Sequence, residues 1–300
     1  MVFNPNAGSG RAARLLAALR QSLEAFARLE LLQASDAGAV RERIAAADLD
    51  RYDGLLVAGG DGTLFEALNG MYAHPARQRL PLGVIPVGTG NAFARDLGLA
   101  PGDWRRSVAI VREGRRRRVD IGRVEYDSAA AVGGQGCAAF HFVNIVGAGL
   151  PVDALHTAER LKALGPAAYS VAAFWQALRL RSHPLRLEAD GETLEEDALF
   201  VEVANTRYTG ASFLMAPAAR FDDGMLDLVL LRRLPRHRLL RLFPTIYDGS
   251  HVTHPEVLTR RVRELRILAP EGLELVPDGE FRGHTPALIR CLERDLEIFA

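Results

Sequence analysis

Residues 52–70 read YDGLLVAGGDGTLFEALNG, and the fold class follows from how that stretch divides. Leu55-Leu56-Val57-Ala58 is a short apolar run, the pattern of a strand buried in a parallel sheet. Gly59, Gly60 and Gly62 strip side chains from the turn that follows. Thr63 stands where a helix would begin, and Leu64, Leu68 and Met71 recur at helical spacing. A strand, a glycine turn and a helix start together present backbone N–H groups to an anion. No Cβ blocks the approach, and the positive end of the helix dipole lies behind it. Asp61 is out of place in a bare phosphate cradle. It fits if it holds a magnesium ion, a ribose hydroxyl or a neighbouring N–H.

On either side the same alternation continues. Met1-Val2-Phe3 reads as the end of a strand, stopped by Asn4-Pro5, and the Gly8-Ser9-Gly10 turn leads into an amphipathic helix carrying Leu15, Leu16, Leu19, Leu23 and Phe26. Residues 29–33 read as a second strand, and Ser35-Asp36 as the cap of a helix holding Val40 and Ile44. Residues 82–85 form the fourth strand, with Gly88-Thr89-Gly90-Asn91 at its carboxyl end, where open α/β sheets bind ligands. Residues 104–112 read as another helix. The pattern predicts an α/β domain over residues 1–120, a parallel sheet with helices on both faces.

Beyond residue 114 the period changes. A basic run, Arg115 to Arg118, is followed by strand-like alternation at 119–124, 140–146, 185–189, 198–204, 226–231 and 262–268. Gly133-Gly134-Gln135-Gly136 reads as a hairpin loop, and helices are expected near 152–180 and 236–247. This predicts a second, β-sandwich-containing domain over 121–300, whose last strand is free to return to the first. Within it, residues 162–180 are apolar and aromatic, suiting a core helix or a lipid-facing one. His251 and His254 read as a loop, with no acidic helix to make them a metal site.

Composition narrows the chemistry. Thirty-seven basic and 37 acidic residues cancel, so no overall field favours nucleic acid. Lys162 is the sole lysine and follows no glycine loop, which excludes a Walker-type phosphate loop. Any phosphate clamp uses arginine and backbone. Cys137 and Cys291 are too few for a disulfide framework and fit a reducing, cytoplasmic compartment. No signal peptide is evident, and no apolar run reaches the roughly 18 residues that span a bilayer. The expectation is a soluble or peripheral protein.

Three motifs in order, NPNAGSG at 4–10, GGDGT at 59–63 and PVGTGNAFAR at 86–95, resemble the diacylglycerol kinase catalytic family, with its bacterial lipid kinases, sphingosine kinases and ceramide kinases. The wider superfamily includes NAD kinases and phosphofructokinases. The resemblance implies that fold and an ATP site built from Asn4, Pro5, Asn6, Ala7, Gly8, Ser35, Gly59, Gly60, Asp61, Gly62, Thr63, Gly88, Thr89 and Asn91. Arg11 is placed to add charge to it. A later stretch, NTRYTGASFLMAPAARFDDGMLD at 205–227, resembles a second family signature. It implies a Mg²⁺ ion on Asp223, with the carbonyls of Arg220 and Met225 as further ligands.

Pro277-Asp278-Gly279-Glu280 matches the family's catalytic carboxylates. Residues two apart in an extended segment point the same way, so both acids could face one side, the other reading being a turn with two solvated acids; the base is left unassigned between them. Two departures from the family, Phe65 and Ala92 where Asn and Asp are frequent, leave the lipid open.

The implied function is an ATP- and magnesium-dependent lipid kinase at the inner membrane face, in transient contact with the lipid surface. Diacylglycerol is its default substrate, with sphingoid bases and other lipids as alternatives. A NAD kinase-like enzyme and a catalytically silent lipid-binding protein are the rivals, and the reading leaves room for a homodimer.

Overall fold

A computed structural model describes residues 1–8, 10–33, 37–75, 79–128, 136–161, 168–179, 181–210 and 212–300. The chain divides into two units, residues 1–119 with 294–300, and residues 120–293. In the first, strands β1 (Val2–Phe3), β2 (Leu32–Gln33), β3 (Leu55–Gly59) and β4 (Leu82–Pro86) run parallel in the order β2-β1-β3-β4. The chain's last strand, Ala287–Phe299, ends beside β4 at Ile298. Helices α1 (Leu16–Glu24), α2 (Ala37–Ala45), α3 (Asp61–Ala73), α4 (Ala92–Asp96) and α5 (Trp104–Glu113) cover it.

Alternation along β3 sorts the faces. Leu56 and Ala58 pack with Leu19 and Leu23 of α1 and with Trp104 and Val108 of α5. Val57, also buried, points to the opposite face. There α3 packs against α2, and Gly70 permits the approach, since a Cβ on it would come within 2.8 Å of Ile44 Cβ. The parallel sheet with two helical layers is thus as the periodicity predicts. The helix of the opening stretch starts at Asp61 rather than Thr63, because Gly60 is the cap residue and its carbonyl accepts from Leu64 N–H at 3.0 Å. Phe65 is fully buried in that helix.

The second unit is mostly antiparallel. Strands β5 (Arg116–Ser128) and the final strand, β16, each cross from one unit into the other, and β5 pairs with β6 (Gly136–Phe142). Next come β7 (Ile145–Gly149), β8 (His183–Ala189), β9 (Glu192–Ala204), the short β10 (Tyr208–Thr209) and β11 (Phe213–Leu214), and β12 (Leu226–Arg232). Strands β13 (Val257–Val262), β14 (Glu264–Ala269) and β15 (Leu275–Pro277) complete the set. The upper half of β9 lies between β7 and β12, and β7 carries β15 on its other edge. Helices α6 (Leu150–Arg160), α7 (Ala168–Arg179) and α8 (Arg236–Leu242) belong to this unit.

Two expectations change here. The single strand expected over 140–146 is broken at Val143-Asn144, whose N–H groups are turned toward an acidic side chain described below. His251 lies not in an open loop but in a buried 3-10 turn, its Nε2 bonded to the Met215 carbonyl at 3.0 Å. The hairpin expected at 133–136 and the start of the 162–180 helix fall outside the described residues, apart from Gly136, which opens β6. Among the described residues no helix is long and apolar enough to cross a membrane.

Candidate functional site

The three glycine motifs sit at the carboxyl ends of β1, β3 and β4, which are neighbours in the sheet, so the fold brings the loops together. Hydrogen bonds then fix them. Asn4 Nδ2 donates to Thr63 Oγ1 at 3.1 Å, and Asn4 Oδ1 accepts from Asn6 N–H at 2.9 Å, closing the turn over Pro5, while Ala7 N–H donates to the Asn4 carbonyl at 3.2 Å. Asp61 Oδ1 accepts from Ala92 N–H at 2.8 Å. A neighbouring N–H is one of the roles open to Asp61, and this contact ties the start of α3 to that of α4.

Asn91 is buried in the left-handed region, φ 55°, and its Nδ2 donates to the Gly88 carbonyl at 2.7 Å. Its amide therefore holds the turn, while the exposed Thr89 faces outward. Gly8 and Gly88 are glycine for lack of room. A Cβ on Gly8 would lie 2.7 Å from the Val87 carbonyl, and one on Gly88 would lie 2.3 Å from Gly60 Cα. Arg11 donates from Nε to the Gly8 carbonyl at 3.0 Å and, with Arg14, Gly88 and Thr89, lines an open groove. Gly59 closes β3 and Gly62 lies in the first turn of α3. Ser35 is outside the described residues. The cradle so formed, three glycine-lined turns with a helix N-terminus and an arginine pair, suits the phosphates of a nucleotide.

The acidic motifs lie in the second unit. Asp278 and Glu280 do not share a face as an extended segment would require. Asp278 and Gly279 have φ of 48° and 86°, and Glu280 N–H donates to the Pro277 carbonyl at 2.8 Å. That is a turn with both central residues left-handed, for which Asp-Gly is a preferred pair. It sends the Asp278 carboxylate inward. Oδ2 accepts from Val143 N–H, and Oδ1 from Asn144 and Ile145 N–H, each at 3.0 Å. Burial pushes this acid up to about 6, and the three N–H donors pull the other way. Glu280 emerges from the turn partly exposed.

The same segment connects to the other acidic turn. Asn205, fully buried, donates from Nδ2 to the carbonyls of Val143 and Asp120, both at 2.9 Å. Asp120 Oδ2 accepts from Gly224 N–H at 2.7 Å, and Asp120 N–H donates to the Phe221 carbonyl at 2.7 Å. The turns at 222–224 and 278–280 are therefore parts of one buried polar network. Sequence reading passed over Asp120, because a charged residue between Val119 and Ile121 is what strand alternation places on a solvent face, whereas here it is fully buried.

Asp223 fits a metal poorly as it stands. Its Oδ1 accepts from Met225 N–H at 3.1 Å, and its Oδ2 pairs with Arg261 Nη2 at 2.5 Å, while Arg220 turns to Asp222 at 3.5 Å. The guanidinium occupies one of the two carboxylate oxygens, so a magnesium ion at this turn would have to displace Arg261 or share the other oxygen with Met225 N–H. Replacing magnesium by a chelator is expected to leave the thermal midpoint of the wild type unchanged. In Arg261→Met the midpoint is expected to rise on adding magnesium. A magnesium-dependent midpoint in the wild type would contradict this account of the turn.

Comparison with known proteins gives the same outline. A family model described as "Diacylglycerol kinase catalytic domain" matches residues 1–124, and one described as "YegS C-terminal NAD kinase beta sandwich-like domain" matches residues 144–300. A diacylglycerol kinase of Mycobacterium tuberculosis is 33% identical over 98% of this chain and 92% of its own length. One from Staphylococcus aureus is 30% identical over 100% of this chain and 91% of its own. A crystal structure of a diacylglycerol kinase from Bacillus anthracis superposes with a TM-score of 0.79 at 25% identity, covering 99% of this chain and 95% of that one. With its glycine loops in register on a parallel sheet and its acidic turns in a β-sandwich-like unit, this chain belongs to the diacylglycerol kinase family.

Proposed function

We propose that the chain is an ATP-dependent lipid kinase that transfers the γ-phosphate to a lipid hydroxyl, with diacylglycerol as its default substrate. The observation that carries this reading is the convergence of three glycine turns on adjacent strand ends, in a chain whose family relatives are diacylglycerol kinases. The first unit holds the nucleotide through backbone N–H groups and Arg11. Magnesium enters with ATP and neutralises phosphate charge. In the second unit Glu280 is the base that takes the proton from the lipid hydroxyl. Asp278 is a positioning residue, since both of its oxygens are committed to N–H groups of residues 143–145. Ala92 offers only its N–H, which Asp61 takes, so the lipid headgroup is read elsewhere.

The exposed Phe174 and Trp175 on α7 support transient contact with a lipid surface. γ-Labelled ATP incubated with the protein and an extracted lipid mixture tests the reading. Label in the organic phase is the expected result. Label in an aqueous dinucleotide, or in neither, would overturn it.

A further inference from the structure

The turn that carries Glu280 is the tip of a hairpin. Leu275 N–H donates to the Gly283 carbonyl and Arg282 N–H to the Leu275 carbonyl, both at 3.0 Å, and Glu274 bridges to His284 nearer the base. The outgoing arm is β15, whose other edge is paired with β7. The returning arm, residues 281–284, lies against rings. Tyr126 meets His284 edge-on at 5.8 Å between centroids, and a Cβ on Gly283 would come within 2.9 Å of the same ring. Phe281, the first residue of that arm, meets the ring of His156.

His156 stands on α6, which follows β7 without a loop and packs on β7, β9 and β15. Its imidazole touches both arms of the hairpin. Nε2 donates to Glu274 Oε2 at 2.8 Å, at the foot of the outgoing arm. The ring stacks on Phe281 with centroids 4.0 Å apart and planes 17° from parallel. Glu280 is thereby fixed on both flanks. Two residues before it, the Asp278 carboxylate is held by three N–H groups. One residue after it, the Phe281 ring is held by His156.

These contacts add little to folding. The side chains of His156 and Glu274 are 48% and 42% exposed, where solvent screens an ion pair. Backbone bonds and the buried Asp278 already close the hairpin. Position is the more demanding requirement. A general base has to stand within about 2.6–3.2 Å of the atom whose proton it takes, and a misplacement of about 1 Å costs about a hundredfold in rate. Phe281 lies between the turn bond at Glu280 and the first arm bond at Arg282, and the stack ties that link to α6. The direction in which the chain leaves the turn sets where the Glu280 carboxylate stands.

We propose that His156 is a positioning residue for Glu280, fixing the chain just after the turn by stacking on Phe281 while bonded to Glu274. The clamp rests on this geometry alone; the part it plays in transfer rests on the lipid-kinase reading.

Steady-state kinetics of the full chain with ATP, magnesium and dioctanoylglycerol, beside amide hydrogen exchange over residues 278–285, test the assignment. His156→Ala is expected to lower kcat about ten- to a hundredfold, with KM for both substrates and the thermal midpoint near wild type. Exchange in the segment is expected to become several-fold faster. His156→Phe keeps the stack without the Glu274 bond and should recover most of kcat; His156→Gln keeps a donor without the ring and should recover little. Phe281→Leu should reproduce His156→Ala, and the two together should be no worse than either alone.

Lipid phosphorylated at the wild-type kcat by His156→Ala, with exchange unchanged, would overturn the proposal and leave the kinase reading standing. So would a loss seen only in the thermal midpoint, or rescue by glutamine and not by phenylalanine. No transfer to lipid by the wild type, with exchange still faster in His156→Ala, would do the reverse: the kinase reading would fall and the clamp would stand.

Discussion

Glu280→Gln is expected to lower the rate of lipid phosphorylation by about a hundred- to ten-thousand-fold, the usual contribution of a positioned general base, with little change in thermal stability. Asp278→Asn is expected to fail differently. The wild-type carboxylate offers acceptors on both oxygens to three buried N–H groups. Asparagine offers one acceptor oxygen and an NH₂, so at least one backbone donor of residues 143–145 meets another donor. A buried, unsatisfied donor costs about 1–3 kcal/mol, and in a unit of this size each kcal/mol lowers the midpoint by about 2–4 °C. Transfer falls in both variants, but thermal denaturation separates them: Asp278→Asn loses stability and Glu280→Gln does not. The reverse pattern would make Asp278 the base.

Gly88→Ala should be the most damaging single methyl in the first unit. Its Cβ would come within 2.3 Å of Gly60 Cα and 2.7 Å of Gly60 N, backbone atoms on another strand end that cannot rotate aside. Overpacking of this kind costs about 1–3 kcal/mol or more, and here it would prise apart two of the three turns that form the cradle. Gly60→Ala is the informative partner. Its φ is −102°, and its Cβ meets only Gly88 Cα at 3.4 Å, so the fold tolerates it. The added methyl nevertheless occupies the space an anion would approach. The expected result is near-wild-type melting with reduced ATP affinity by titration. Unchanged affinity in a folded Gly60→Ala protein would move the phosphates away from this turn.

These cases show what the sequence makes legible. The glycine loops were readable because glycine at a strand end, beside a helix start, has few other uses, and because adjacent parallel strands deliver their loops to one edge. The position of Asp278 was legible only in part: an Asp-Gly pair favours a turn, but nothing local says which way its carboxylate points. What aims it inward is a set of N–H groups more than 130 residues away. Arg261 escaped notice as the partner of Asp223 for the same reason, the pair being 38 residues apart. Glu202 was hidden in a run otherwise ideal for a buried strand, where the sequence gives no sign that its carboxyl is buried with one oxygen unpaired.

Phosphoryl transfer itself is the most direct test. Isotopically heavy γ-phosphate ATP is incubated with dioctanoylglycerol and the wild-type protein, and the lipid is weighed by mass spectrometry. Heavy phosphate on the lipid hydroxyl, appearing only with ATP and magnesium and falling at least a hundredfold in Glu280→Gln, is the expected result. Heavy phosphate released only to water, or found on a soluble nucleotide while the lipid stays unmodified, would contradict the account.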